Sequence, residues 1–339
     1  MILPNKLRIL ISEVRPMHTP LHTPLCDRLG IEYPIFLAGM GGVAMSALTA
    51  AVSNAGGLGI MGAATLDPQQ LRDEIRKTRD LTDKPFAVDL LAPDPEMIRP
   101  HMQVVFEEDV RIFVAGLAVP AAFIEEMHKR DMTIVVMCGR VRHAQKSVEA
   151  GADIVAAQGT EAGGHTGEIG ALALIPQVVD AVSVPVIAAG GISDGRGLVA
   201  ALALGAEGAI IGTRFIATPE AQAAPGYRDA LVRSTEADTM RTRAYTGKTA
   251  RTIKTDYALD WEKRADEIQP FPFQAMVSIQ NKVMDYPGLT ESFDVNKTFM
   301  PAGQGVGMIH DIKPAGEILR DIVREAEAVI EQRFIRSGR

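Results

Sequence analysis

From Tyr33 to Ile211, short apolar runs alternate with longer stretches whose apolar residues recur at helical spacing, and this rhythm constrains the fold more than any other feature of the chain. The runs fall at 33–38, 57–61, 85–90, 111–115, 132–137, 153–157, 184–189 and 207–211. Helical periodicity covers 44–55, 67–80, 95–106, 120–130, 141–150, 170–181, 194–204 and 219–233. The step between runs averages roughly 25 residues, enough for a parallel strand, a crossover helix and two short loops. Ile134-Val135-Val136-Met137 and Val184-Pro185-Val186-Ile187 are nearly continuous in apolar character, as expected of strands covered on both faces. Units of this kind, repeated without a reversal, predict an α/β fold of the (β/α)8 TIM-barrel type; a doubly wound open sheet is the alternative.

Beyond about residue 234 the rhythm stops. Gly-, Pro- and Thr-rich stretches surround one long helical candidate at 260–285, and a last periodic segment, 312–336, places Ile318, Leu319, Ile322, Val323, Ala326 and Ile330 on one face. The expected organisation is an N-terminal tail at 1–22, the barrel at 23–234, a smaller cap or inserted subdomain at 235–310, and a C-terminal helix at 311–339 packing back on the barrel. Selectivity is expected from 235–310.

A chain of 339 residues with 47% hydrophobic content can bury a large core. Its net charge of −7 leaves no obvious basic face for nucleic acid or an anionic membrane, so small molecules are the expected partners. Ile9-Leu10-Ile11 is too short for a signal-peptide core, and no apolar run reaches the roughly 18 residues of a membrane span. Cys26 and Cys138 are far apart and belong to no Cys/His cluster, so no metal is expected, and a reducing cytoplasm fits this cysteine usage. The oligomeric state stays open, a homo-oligomer included.

In a barrel of this kind, ligands gather at the C-terminal ends of the strands, where this chain concentrates glycine. Gln158-Gly159-Thr160-Glu161-Ala162-Gly163-Gly164-His165-Thr166-Gly167 sets one histidine in a glycine-rich loop after the run 153–157. Gly190-Gly191 and Gly212-Thr213 follow the seventh and eighth runs, where backbone amides can approach a phosphate. Ala38-Gly39-Met40-Gly41-Gly42 after the first run leaves backbone open for a flat ring; Met40 alone would be read as packing.

Together with Ala51–Gly59, Ala189–Gly197 and Gly212-Thr213-Arg214-Phe215, these motifs resemble the nitronate monooxygenase family, formerly 2-nitropropane dioxygenases, over about residues 23–218. Weaker echoes stand at Tyr245–Lys248 and Ala302–Gly305. The resemblance implies an FMN-containing barrel in which Gly39, Met40 and Gly41 line the flavin, Gln158 hydrogen-bonds its ring, Gly163 and Gly164 lie alongside, and the phosphate sits at Gly190, Gly191, Gly212 and Thr213. His165 takes the catalytic position. Asp89 departs from the family pattern, where many relatives carry asparagine, and is expected beside the cofactor, where an acid could repel an anion or alter the flavin potential.

The implied reaction is oxidation of alkyl nitronates by O2 to carbonyl compounds and nitrite, with His165 either deprotonating a nitroalkane or positioning a nitronate. The Glu161–His165 loop also resembles those of flavin-dependent enoyl-acyl-carrier-protein reductases and NAD(P)H:quinone reductases, which keeps that reaction open. A non-redox barrel using the phosphate loops for another ligand is the third reading. His101, His128, His143 and His310 read as structural or solvent-facing, and Cys138 as core packing. Gly247-Lys248-Thr249 lacks the P-loop glycine, because position 242 is threonine, and Gly303–Gly307 is too tightly spaced for a dinucleotide fingerprint and reads as a cap loop near the flavin.

Overall fold

The computed structural model describes residues 19–91, 95–284 and 293–335; most of the expected tail, with His18, lies outside them. In chain order come α1 (Pro24–Leu29), β1 (Ile35–Leu37), α2 (Ser46–Asn54), β2 (Gly59–Gly62), α3 (Pro68–Leu81), β3 (Phe86–Leu91), α4 (Pro95–Glu107), β4 (Ile112–Gly116), α5 (Ile124–Lys129), β5 (Thr133–Cys138), α6 (Val141–Glu149), β6 (Ile154–Gln158), β7 (Gly164–His165), α7 (Ala171–Ala181), β8 (Val186–Ala189), α8 (Gly195–Ala203) and β9 (Gly208–Ile211). They are followed by α9 (Thr213–Ile216), α10 (Pro225–Arg233), β10 (Thr239–Thr242), β11 (Ala250–Ile253), α11 (Asp256–Glu262), α12 (Phe273–Gln280) and α13 (Ala315–Ile330).

The parallel sheet runs β1-β9-β8-β6-β5-β4-β3-β2. It closes on itself where the Leu37 amide donates to the Leu58 carbonyl and the Leu58 amide to the Ile35 carbonyl, both at 2.9 Å. Closure selects the (β/α)8 barrel over the open sheet. Strand alternation divides the side chains between two cores. Phe36, Ile60, Val114, Val135, Ala156, Ile187 and Ile210 fill the interior, with Leu25 and Cys26 of α1 packed in the same cluster. The alternate residues, such as Leu37, Met61, Val88, Phe113, Val136 and Ile211, join the helices outside. Cys138 belongs to that outer layer, beside Ser147 of α6, and burial pushes its thiol up to about 11. It therefore faces away from the barrel mouth and packs, as expected.

Side-chain caps set the starts of α3 and α8. Asp67 and Gln70 form a reciprocal capping box on α3, and the Asp194 carboxylate accepts from the Gly197 amide on α8. The apolar stripe of α13 lies in the outer core. Its approach to α8 is so close that a Cβ on Gly195 would stand 2.3 Å from the Ala326 nitrogen. Gly195→Ala is expected to cost about 2 kcal/mol through overpacking, outweighing the helix propensity gained, and to lower the thermal midpoint.

After β9 the structure differs from expectation in one respect. The long helix expected at 260–285 is two short helices, α11 and α12, because Pro270 and Pro272 cannot donate the amide hydrogen bonds a continuous helix needs. Beside them β10 and β11 form an antiparallel hairpin that pairs with β7, with Ala250 opposite His165 and Arg251 opposite Gly164. The expected histidine loop is thus a two-residue strand, fixed by a partner more than eighty positions away in sequence.

Candidate active site

The C-terminal ends of the barrel strands open into a cavity of about 320 Å³. Gly39, Met40 and Gly41 after β1, Asp89 of β3, Gln158, Gly163, Gly164 and His165 around β6 and β7, Gly190 and Gly191 after β8, and Gly212 and Thr213 after β9 all line it. Its volume is that of a small-molecule site. Asp89, His165 and Tyr227 are the titratable groups among the lining residues.

The backbone suits a large, flat, phosphorylated ligand. Gly190 and Gly191 take consecutive left-handed conformations, φ +101° and +75°, which expose successive amides. The Gly303 amide donates to Thr213 Oγ1 at 2.9 Å, leaving the Thr213 hydroxyl proton available. Gly305 lies so close to the β8 loop that a Cβ there would meet Ser193 Oγ at 2.3 Å. The segment 302–308 therefore seats on the β8 and β9 loops, which agrees with its reading as a cap loop at this site. The Gln158 side-chain carboxamide makes no hydrogen bond to protein among the described residues. Gly164, at φ +72°, faces open space.

Asp89 Oδ1 is buried in this cavity with no hydrogen-bonding partner. Burial pushes its carboxyl up to about 7, and the nearby Gly116 amide only partly opposes that. Oδ2 crowds the first-strand loop, since a Cβ on Gly39 would stand 2.1 Å from it. An orphaned polar atom, exposed amides and an unoccupied glutamine edge fit a heterocycle that both donates and accepts hydrogen bonds, as a flavin does.

His165 is held from outside the cavity. Its Nε2 lies 3.0 Å from Thr246 Oγ1, and that hydroxyl donates to the Lys248 carbonyl at 3.0 Å. With its proton committed, Thr246 can only accept from the ring, which places the imidazole proton on Nε2 and the lone pair on Nδ1. Phe271 meets the ring edge-on at 6.1 Å between centroids. Burial first, and the Lys248 charge second, push His165 down to about 4, so it is neutral across the physiological range.

The sequence did not single out Thr246, Tyr227, Ser193 or Phe293, although all belong to the site or its support. Thr246 left a trace in the Tyr245–Lys248 echo, and Ser193 stands within the Ala189–Gly197 motif. Tyr227 is buried, its phenol donating to the Pro301 carbonyl, and burial raises its pKa. His101 is structural: its Nε2 lies 2.9 Å from the Leu66 carbonyl.

A family model of nitronate monooxygenases matches residues 22–103 and 98–325. A probable nitronate monooxygenase of Staphylococcus aureus is 32% identical, over 91% of this chain and 98% of that one. FabK of Thermotoga maritima superposes with a TM-score of 0.86 at 36% identity, covering 94% of this chain and 99% of FabK. A nitroalkane oxidase of Streptomyces ansochromogenes superposes with a TM-score of 0.82 at 30% identity, over 91% and 100% of the two chains. The closed barrel, the glycine-lined mouth and these matches place the chain in the nitronate monooxygenase family of flavin-dependent oxidoreductases.

Proposed function

We propose that this protein oxidises alkyl nitronates, and nitroalkanes that it first deprotonates, to carbonyl compounds and nitrite with O2, using FMN. The observation that carries the reading is His165, a neutral imidazole with its Nδ1 lone pair free, on the wall of a cavity lined by no lysine or arginine among the described residues. FMN, when bound, supplies the electron acceptor and the centre that reacts with oxygen. Gly190, Gly191, Gly212 and Thr213 would hold its phosphate, Gly39, Met40, Gly41, Gly163 and Gly164 would flank its ring, and Gln158 and Asp89 would hydrogen-bond the ring edge.

The protein's own part is proton management. A nitroalkane carbon beside the nitro group gives its proton to His165 Nδ1, which leaves an imidazolium and a nitronate of opposite charge. That pairing offsets the burial that disfavours imidazolium. A preformed nitronate needs no base. Residues 235–310, which supply Thr246 and several walls of the cavity, would act as the cap that sets substrate size.

A second reading, an NAD(P)H-dependent reductase of enoyl-acyl-carrier-protein thioesters or quinones, draws support from the near-complete overlap with FabK. Anaerobic mixing separates the two. Rapid bleaching of the flavin by propionate 3-nitronate, with slow or no bleaching by NADH or NADPH, is expected. Bleaching by a nicotinamide alone would replace the proposal with the reductase.

A further inference from the structure

The hairpin that supports His165 also carries cations that the fold does not use. Arg241 of β10 and Arg251 of β11 are directly opposite each other in register. Like charges at such a position weaken a sheet. Arg251 is spent on the Thr160 carbonyl and Thr239 Oγ1. Arg241 has no ion pair among the described residues, and its Nε is buried with no partner. Among the described residues Arg243 has one hydrogen bond, to the Ala265 carbonyl at 3.3 Å, and no carboxylate partner. Lys248, exposed in the turn, likewise has no ion pair among the described residues. This concentration stands in a chain of net charge −7 whose other arginines mostly meet an acid.

Arg241 and Arg243 line a surface groove of about 330 Å³ together with Thr249. Glu262 is the acid lining it, and its Oε1 already accepts from Thr242 Oγ1 at 2.6 Å. Guanidinium groups beside a hydroxyl are the donors that planar, multiply charged oxyanions select, and a single carboxylate would leave most of this charge unanswered. Arg251 faces Gly164 on β7, so Arg241 lies one strand further, about 10 Å from the strand that carries His165.

We infer that the Arg241–Arg243 groove is a binding site for the phosphate or diphosphate of a nucleotide ligand. The site stands apart from the cavity and from the oxidation proposed for it. Two sources share this chemistry, the nucleotide end of coenzyme A and that of NADPH.

The test is calorimetric titration of the FMN-loaded protein with coenzyme A, NADPH and, as a phosphate-free control, pantetheine, in wild type and in R241Q/R243Q. Loss of about tenfold or more in affinity for coenzyme A or for NADPH is expected in the double variant, with displacement of that ligand by inorganic pyrophosphate in wild type. The ligand that loses affinity identifies the source. FMN content should be unchanged and the thermal midpoint no lower, since removing Arg241 relieves the repulsion with Arg251. Equal affinities for both nucleotides in the two proteins, or no nucleotide binding by wild type, would overturn the inference. So would a drop in thermal midpoint with loss of flavin, which would make the arginines structural.

Discussion

His165→Ala should slow turnover of a neutral nitroalkane by about 10²–10³-fold while leaving oxidation of the corresponding preformed nitronate within about tenfold of wild type. The contrast follows from what each substrate needs. The nitroalkane must lose a proton to Nδ1, whereas the nitronate has already lost it. Because burial and Lys248 hold His165 near 4, the base is unprotonated from pH 5 upward, and nitroalkane turnover should fall only as the pH drops through about 4. Thr246→Val adds a second arm. It removes the acceptor at 3.0 Å that keeps the proton on Nε2, so the tautomers mix and the nitroalkane rate falls less than in His165→Ala, with the nitronate rate unaffected. Unchanged nitroalkane turnover in His165→Ala, measured by nitrite release, would remove the histidine from the mechanism.

Wild type is expected to bind FMN with a pH dependence that Asp89→Asn abolishes. With its carboxyl pushed up to about 7 by burial, Asp89 is mostly a carboxylic acid below that pH, able to donate one hydrogen bond and accept another. Above it, the cavity must hold a carboxylate that no lining cation among the described residues balances. Wild-type affinity should then fall by up to tenfold per pH unit, followed by quenching of FMN fluorescence, while Asp89→Asn stays flat. Stability carries the same sign. Between the unfolded value of 3.8 and about 7 the folded protein retains a proton that the unfolded chain has released, so stability declines as pH rises through that window. Asp89→Asn should therefore raise the thermal midpoint at pH 8 and change it little below pH 4. Parallel pH profiles in the two proteins would mean that another group titrates.

The barrel could be read from the chain because its strands are continuous apolar runs and the stretches between them carry apolar residues at helical spacing. The mouth could be read for a related reason: positions that must expose backbone, such as Gly190 and Gly191, tolerate little but glycine. The supports of the mouth were not legible in the same way. A two-residue strand at Gly164–His165 has no periodicity, and its partner lies beyond the repeating region. Thr246 is polar and buried because of a tertiary contact alone. In 260–285, apolar spacing spoke for one helix while Pro270 and Pro272 spoke against it, and the prolines prevailed.

The pairing of β7 with β11 makes His165, the proposed general base, a shared possession of the barrel and the segment that follows it. A displacement of the hairpin that widened the mouth would take Thr246 from the imidazole, releasing the ring from its working tautomer. Admission of substrate and readiness to remove its proton would then alternate on one hinge, and an open mouth would be chemically silent.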